Sequence, residues 1–366
     1  MACFQDSPDE VILKVVTYLD VNELVKFGEV SKRMRAISND KSLWQKMNLS
    51  RNEQSWCDEF DVPTNFVKKV IENGCQYLSL HYMKVETPCM ISARRLRLGR
   101  ASSSLRYLDL KYCDAGVLIF EEILSSCHLL QKLSMASIHP CQEKYITSEM
   151  VESICYQNGR TLQTLDLSFC GGLYLDSIQK ITINCVGLKN LDLFATGLSK
   201  ESITLLVNNL TRGVEKLALG DLSNLKDKHV KALVARCNKL SVLNLERTAI
   251  SNGSLTYIIK NLQHTLEKLN VRYCHGITYT ILLHNITELK SMPKLRVLNY
   301  GRMGNFPNHE KESLKRLMPM VKFGESICVD ERELLLADGI WDVEAKQLEY
   351  LENVGLKNCQ MKPYCI

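Results

Sequence analysis

The sequence predicts an α/β solenoid in which one strand-plus-helix unit repeats along the chain. Three observations predict it. An L-x-x-L-x-L frame recurs at Leu162/Leu165/Leu167, Leu188/Leu191/Leu193, Val214/Leu217/Leu219, Leu240/Leu243/Leu245 and Leu266/Leu269/Val271. Successive frames are 26 residues apart, four times in a row. Between frames the apolar spacing turns helical. One strand and one helix cannot bury both faces alone, so neighbouring units must stack.

Each element is justified by its own spacing. The last two leucines of a frame alternate with polar residues, the period of a strand buried on one face. After each strand come apolar residues at i, i+3, i+4 and i+7: Ile203, Leu206, Val207, Leu210; Val230, Leu233, Val234, Cys237; Leu255, Ile258, Ile259, Leu262. These make one stripe on a helix. Frame and period together are the grammar of leucine-rich repeats. The expected result is a horseshoe with parallel strands on its concave face and helices on its convex face.

The array reaches further toward the N-terminus. Leu105/Leu108/Leu110 and Leu130/Leu133/Met135 fit the frame. From Leu130 to Leu162 the step is 32, so about six residues are inserted around 139–145. Cys75/Leu78/Leu80 and Ala93/Leu96/Leu98 are degenerate candidates, and Ala93 lies only 12 residues before Leu105. Leu295/Leu298/Tyr300 is expected to be the last clear strand. The repeats are therefore placed at 75–324, after a helical linker at 51–74.

Composition narrows the function. A net charge of +5 is too mild for a nucleic-acid partner. Residues 325–366 hold four basic and nine acidic side chains, which leaves the repeat region basic. With apolar anchors such as Trp341, that segment reads as a C-terminal cap or an acidic tail. The start, MACFQDSPDEV, lacks the basic and apolar regions of a signal peptide, and no apolar run approaches a membrane span. Fifteen cysteines, an odd count without Cys-x-x-Cys, argue against a disulfide frame or a zinc site. Several recur at fixed repeat positions, as small buried hydrophobes do. A reducing compartment, cytosol or nucleus, is expected. No catalytic or nucleotide-binding motif stands out. No cofactor and no metal are expected.

The first fifty residues follow a different grammar. Ser7-Pro8-Asp9-Glu10 reads as a capping box with proline at the first helical position. An apolar stripe follows at Val11, Ile12, Val15, Val16 and Leu19; Leu24, Phe27 and Val30 suggest a second short helix, and Trp44 closes the unit. So short a segment leaves surplus apolar surface, which suggests docking onto a partner or onto the first repeat.

Residues 7–44 resemble an F-box. Pro8, Glu10, Ile12, Leu13, Tyr18, Leu19, Leu24, Val30, Ser31, Lys32, Leu43 and Trp44 fall in that pattern, whereas Ser7 and Met34 depart from it. Placed before leucine-rich repeats, this segment makes the whole chain resemble the F-box/leucine-rich-repeat substrate receptors of SCF ubiquitin ligases. The resemblance implies that residues 1–50 dock on a Skp adaptor, which bridges to cullin and RING subunits. The contacts implied are Pro8, Ile12, Leu13, Leu19, Leu24, Val30, Ser31, Leu43 and Trp44. It also implies a non-catalytic role in which the repeats hold a substrate protein for ubiquitination.

The candidate substrate surface follows from strand alternation. A central column of residues points to the concave side: Asp109, Ser134, Asp166, Asp192, Ala218, Asn244, Asn270 and Asn299. Its acids and amides suit either a structural hydrogen-bond ladder or a reader of substrate backbone. Beside it, Phe194 and Tyr107 are expected as aromatic hot spots. Lys268 and Arg272 are expected to pair with an acidic or phosphorylated segment. Gly220 and Ala218 are expected to leave a shallow gap between those two groups.

Overall fold

The computed structural model describes residues 7–19, 21–49, 61–62, 64–80, 84–85, 104–115, 117–137, 139–140, 146–300, 308–319 and 321–324. All of them belong to the first of the two units into which the chain divides, Met1–Glu325. The acidic segment 325–366 lies outside the described residues.

Four helices come first: α1 (Asp9–Val16), α2 (Val21–Val30), α3 (Lys32–Ser38) and α4 (Lys41–Trp44). The expected capping box at Ser7 does not form. Pro8 itself is the N-cap, with ψ 149° and no side-chain bond, and its carbonyl accepts from Val11 and Ile12 at 3.0 and 3.1 Å. Ser7 sits one residue too early to cap; its carbonyl accepts instead from Arg33 Nη2 at 2.6 Å. The Arg33 side chain also grips Asp9, tying α3 to the start of α1. Ser31 caps α3, its hydroxyl accepting from Met34 N, and Asp40 caps α4. The Ser42 hydroxyl and amide donate to Asp40 and hold its carboxyl below the usual range.

Eleven parallel strands follow the chain order in one sheet: Lys46–Asn48, Tyr77–Ser79, Tyr107–Asp109, Lys132–Ser134, Thr164–Asp166, Asn190–Asp192, Lys216–Ala218, Val242–Asn244, Lys268–Asn270, Val297–Asn299 and Lys322–Gly324. Equivalent frame positions pair throughout, as in Leu165 with Leu191 and Leu243 with Leu269. Ten-residue helices such as Leu175–Asn184, Lys200–Asn209 and Asp227–Arg236 cover the other side. The expected α/β solenoid is therefore the fold. One apolar core runs from Ile12 through the frame leucines to Met318.

Both ends of the sheet exceed the repeat pattern. It begins at Lys46–Asn48, directly after α4, and ends at Lys322–Gly324, one strand beyond Leu295/Leu298/Tyr300. Neither terminal strand carries two frame leucines, so periodicity alone passes over them. The degenerate Cys75/Leu78/Leu80 frame does supply a strand. It pairs directly with Tyr107–Asp109, Leu78 opposite Leu108. The other degenerate candidate is Ala93/Leu96/Leu98. That segment lies outside the described residues. A second sheet joins the two-residue strands Asp61–Val62, Lys84–Val85, Asp114–Ala115 and His139–Pro140.

The cysteines explain their own recurrence. Cys170 Sγ donates to Met135 O and Cys274 Sγ to Leu245 O, each at 3.0 Å, so the thiol ties one repeat to the last frame residue of the repeat before it. Burial pushes the thiols of Cys75 and Cys127 up to about 12. The eight cysteines among the described residues are all free and buried.

Candidate functional sites

Two surfaces emerge. On the N-terminal helices the implied contact residues divide by depth. Ile12 (0% exposed), Leu24 and Trp44 (1%) are core residues. This corrects their expected place on a docking surface. All three pack within the unit's own apolar core. Trp44 is held by its Nε1–H donating to Ser38 O at 2.7 Å and by Lys69 Nζ 5.4 Å from its ring centroid. Leu13, Leu19 and Leu43 are partly buried against the same core. Pro8, Val30 and Ser31 are exposed, although Ser31 spends its hydroxyl on the helix cap. What faces solvent is a stripe at i, i+4 and i+7, Val11, Val15 and Tyr18 (81% exposed), together with Val30. Val11, Val15 and Tyr18 share one side of the helix, about a third of a turn round from Ile12 and Val16.

On the sheet, the seven rungs from Tyr107–Asp109 to Lys268–Asn270 each turn on a non-glycine residue in the left-handed region: Tyr112, Ser137, Phe169, Ala195, Asp221, Arg247 and Tyr273, with φ between 50° and 60°. Such a conformation persists only when its surroundings hold it. The central column helps to hold it. Oδ1 of Asp109, Asp166, Asp192, Asn244 and Asn270 accepts the backbone N–H two residues on, at 2.9–3.1 Å in every case. Asp166 also takes Ser168 Oγ at 2.8 Å and Ser134 Oγ at 2.9 Å, with Lys111 Nζ at 3.7 Å. The ladder is the role these side chains perform in the fold.

Two expectations for the neighbouring column need correction. Phe194 was expected on a solvated face but is 3% exposed. Its ring lies over Gly220, in the space where a side chain would stand, and packs on Phe169 at 5.3 Å between centroids. The shallow gap expected at Gly220 is thereby filled. Arg272 was expected in solvent and is 4% exposed. Adjacent rungs stand only about 4.8 Å apart, so a large side chain beside a small one folds across it. Lys268 remains partly exposed at the other end of its strand.

Tyr107 does reach the surface, and with a partner that the frame did not reveal. Tyr77 stacks on it at 3.9 Å and 9° between planes. Lys46 and Lys132 flank the pair, 5.3 and 5.2 Å from the ring centroids. Burial, followed by the Tyr107 hydroxyl, pushes the Tyr77 phenol up to about 12. One register column across the sheet thus reads Lys46, Tyr77, Tyr107, Lys132, Thr164, Asn190, Lys216, Val242, Lys268, Val297, Lys322. The signal was available in the sequence, since Tyr77 precedes Leu78 as Tyr107 precedes Leu108.

Among the described residues, no group of three His, Cys, Asp or Glu side chains is arranged to hold a metal ion, and no helix is long and apolar enough to cross a membrane.

Residues 8–50 match the family model described as F-box-like, and residues 65–329 match the one described as the SKP2 LRR domain. Among solved structures, an internalin from Listeria monocytogenes is 14% identical, with a TM-score of 0.45 over 78% of this chain and 75% of that one. A structure of the yeast Rad7 and Elc1 complex is 13% identical, with a TM-score of 0.38 over 87% of this chain and 92% of that one.

Proposed function

We infer, from a chain that belongs to the F-box/leucine-rich-repeat family, that it is the substrate-holding subunit of an SCF-type ubiquitin ligase. One observation carries the reading: an F-box with an exposed apolar stripe runs directly into the first strand of a long parallel sheet. The stripe at Val11, Val15, Tyr18 and Val30, with Pro8, Leu13, Leu19, Ser31 and Leu43 around it, meets the Skp adaptor. The adaptor joins the chain to cullin and RING subunits. The concave sheet, through Tyr77, Tyr107, Lys268 and Arg272, holds a substrate protein.

Such a subunit works by position. Trp44 and Met47 belong to one core, so the adaptor-binding helices and the substrate-holding sheet are joined without a hinge between those residues. Holding a substrate lysine near a ubiquitin thioester converts a bimolecular encounter into a local one, which by itself raises the rate. No catalytic side chain in this chain is required. The cytosol or nucleus, where free thiols stay reduced, is the fitting compartment.

The test is recovery of endogenous partners from cells with the wild-type chain and with Val15→Glu/Tyr18→Ala. Adaptor and cullin recovered by the first and lost from the second support the ligase reading. Partners recovered equally by both, without adaptor or cullin, make the chain a repeat scaffold outside a ligase.

A further inference from the structure

We propose that Arg272 is the seat for an anionic side chain, a carboxylate or a phosphorylated hydroxyl, of the protein held on the concave sheet. The proposal rests on the reading of that sheet as the partner-binding face. Leu269 and Val271 point into the core, so Arg272 points to the concave side. It is 4% exposed, yet neither Nε nor Nη2 has a hydrogen-bond acceptor. Burying two charged N–H groups without acceptors is costly and calls for an explanation.

The identity of the two unmatched atoms supplies one. Nε–H and Nη2–H lie side by side on one edge of the guanidinium and point the same way. That edge makes two parallel bonds to a carboxylate or a phosphate, the geometry for which arginine is suited. Three neighbouring acceptors already have donors. Asn270 Oδ1 accepts the Arg272 backbone N–H at 3.1 Å, the Arg272 carbonyl accepts from Arg247 N at 2.8 Å, and Glu246 Oε2 accepts from Asn270 Nδ2 at 3.0 Å. The guanidinium is also oriented. Its Cζ stands 5.4 Å from the Tyr273 ring centroid, and Arg247 Cζ stands 5.6 Å from the same ring. A cation on the face of a ring keeps its charge and leaves its N–H edge available.

The wider sheet suits the same ligand. Lys46, Lys132, Lys216 and Lys268 share one register column, while the carboxylates of Asp109, Asp166 and Asp192 brace backbone N–H groups. An acidic segment laid across the rungs meets cations in that column and an arginine fork at Arg272.

The experiment uses the full-length chain with its adaptor. Thermal melting is followed in inorganic phosphate, in acetate and in chloride at one ionic strength, for wild type, Arg272→Met, Arg272→Lys and Arg247→Met. The expected result is a saturable rise in Tm for wild type and Arg247→Met, with phosphate if the partner group is phosphorylated and with acetate if it is a carboxylate. Arg272→Met melts no lower than wild type in chloride and loses the response. Arg272→Lys keeps the charge but not the fork, which weakens apparent affinity about tenfold, and it decides the matter should the methionine variant fail to fold. An equal response in wild type and Arg272→Lys, or none to either anion, overturns the proposal. Adaptor recovery by Arg272→Met is measured in parallel. Its loss from every variant, wild type included, counts against the ligase reading and not against the anion site.

Discussion

Two sets of substitutions in the N-terminal helices should fail in different ways. Trp44→Ala removes a fully buried indole, its hydrogen bond to Ser38 O and the surface beneath Lys69. Loss of such a side chain costs about 3–5 kcal/mol of folding stability. Val11→Ala/Val15→Ala/Tyr18→Ala removes side chains that the free protein already exposes, Val11 and Val15 about half and Tyr18 mostly. Its folding cost is small. Covering one such side chain fully is worth about 1.5–3 kcal/mol; with half of each valine already covered, about 1 kcal/mol per valine and about 2 for the tyrosine remain. The triple variant therefore loses about 4 kcal/mol of adaptor binding, which is roughly a thousandfold in Kd. Calorimetric titration with recombinant adaptor reads the affinity, and urea unfolding reads the stability. Trp44→Ala should shift the unfolding midpoint, and the triple variant should shift only the affinity. A triple variant that binds within threefold of wild type, or Trp44→Ala with an unchanged midpoint, would refute the division of this face into core and contact.

Other consequences concern the sheet. Asp166→Ala strands the buried Ser168 N–H and two hydroxyls, and should cost about 3 kcal/mol in urea unfolding, whereas Asp166→Asn, which keeps Oδ1 as an acceptor, should cost about 1. Gly220→Ala drives a methyl group into the Phe194 ring, 2.6 Å from Cδ2; it should destabilise by about 1–3 kcal/mol, and Phe194→Leu in the same chain should recover part of that loss. Asp227 has burial opposing its charge, but bonds from Ser251 and Ser254 together hold its carboxyl below the usual range. A depressed carboxyl contributes stability that is complete above its unfolded pKa of about 3.9 and is lost as pH falls through the lower folded value. Melts from pH 5 downward should therefore show a loss below about pH 4 that Asp227→Asn flattens.

The fold was legible because its period is strict. Leu162 to Leu266 repeats at one spacing, and the pairing register follows it residue for residue. The ends were not legible. Met47 sits in a Trp44/Met47/Leu49 frame with a single leucine and Phe323 in a rung with none, so a search for repeated leucines passes over both. The Tyr77–Tyr107 stack stayed hidden because its first half lies in the degenerate Cys75/Leu78/Leu80 frame. Alternation assigned Phe194 and Arg272 to the right side of the sheet but not to the right depth. Depth depends on the neighbouring rung, and the glycine that admits the Phe194 ring is 26 residues away in sequence. In the F-box the same limit appears on a helix. Family register marks Ile12 and Trp44, and helical spacing marks Val11 and Val15, but only packing tells core from contact.

The central column of the concave sheet holds acids and amides but no bases. In the central column the acids and amides face inward along the strand to hold the N–H groups that each left-handed turn would otherwise leave unpaired. A cation cannot accept a bond from an N–H, so lysine and arginine are excluded from that task and collect in the flanking columns. The asymmetry therefore follows from how each rung turns. Repeating the turn along the parallel sheet, at seven positions among the described residues, commits the acids of that column to the scaffold. The proposed anion seat at Arg272 lies on the same face, where two guanidinium N–H groups have no acceptor among the described residues.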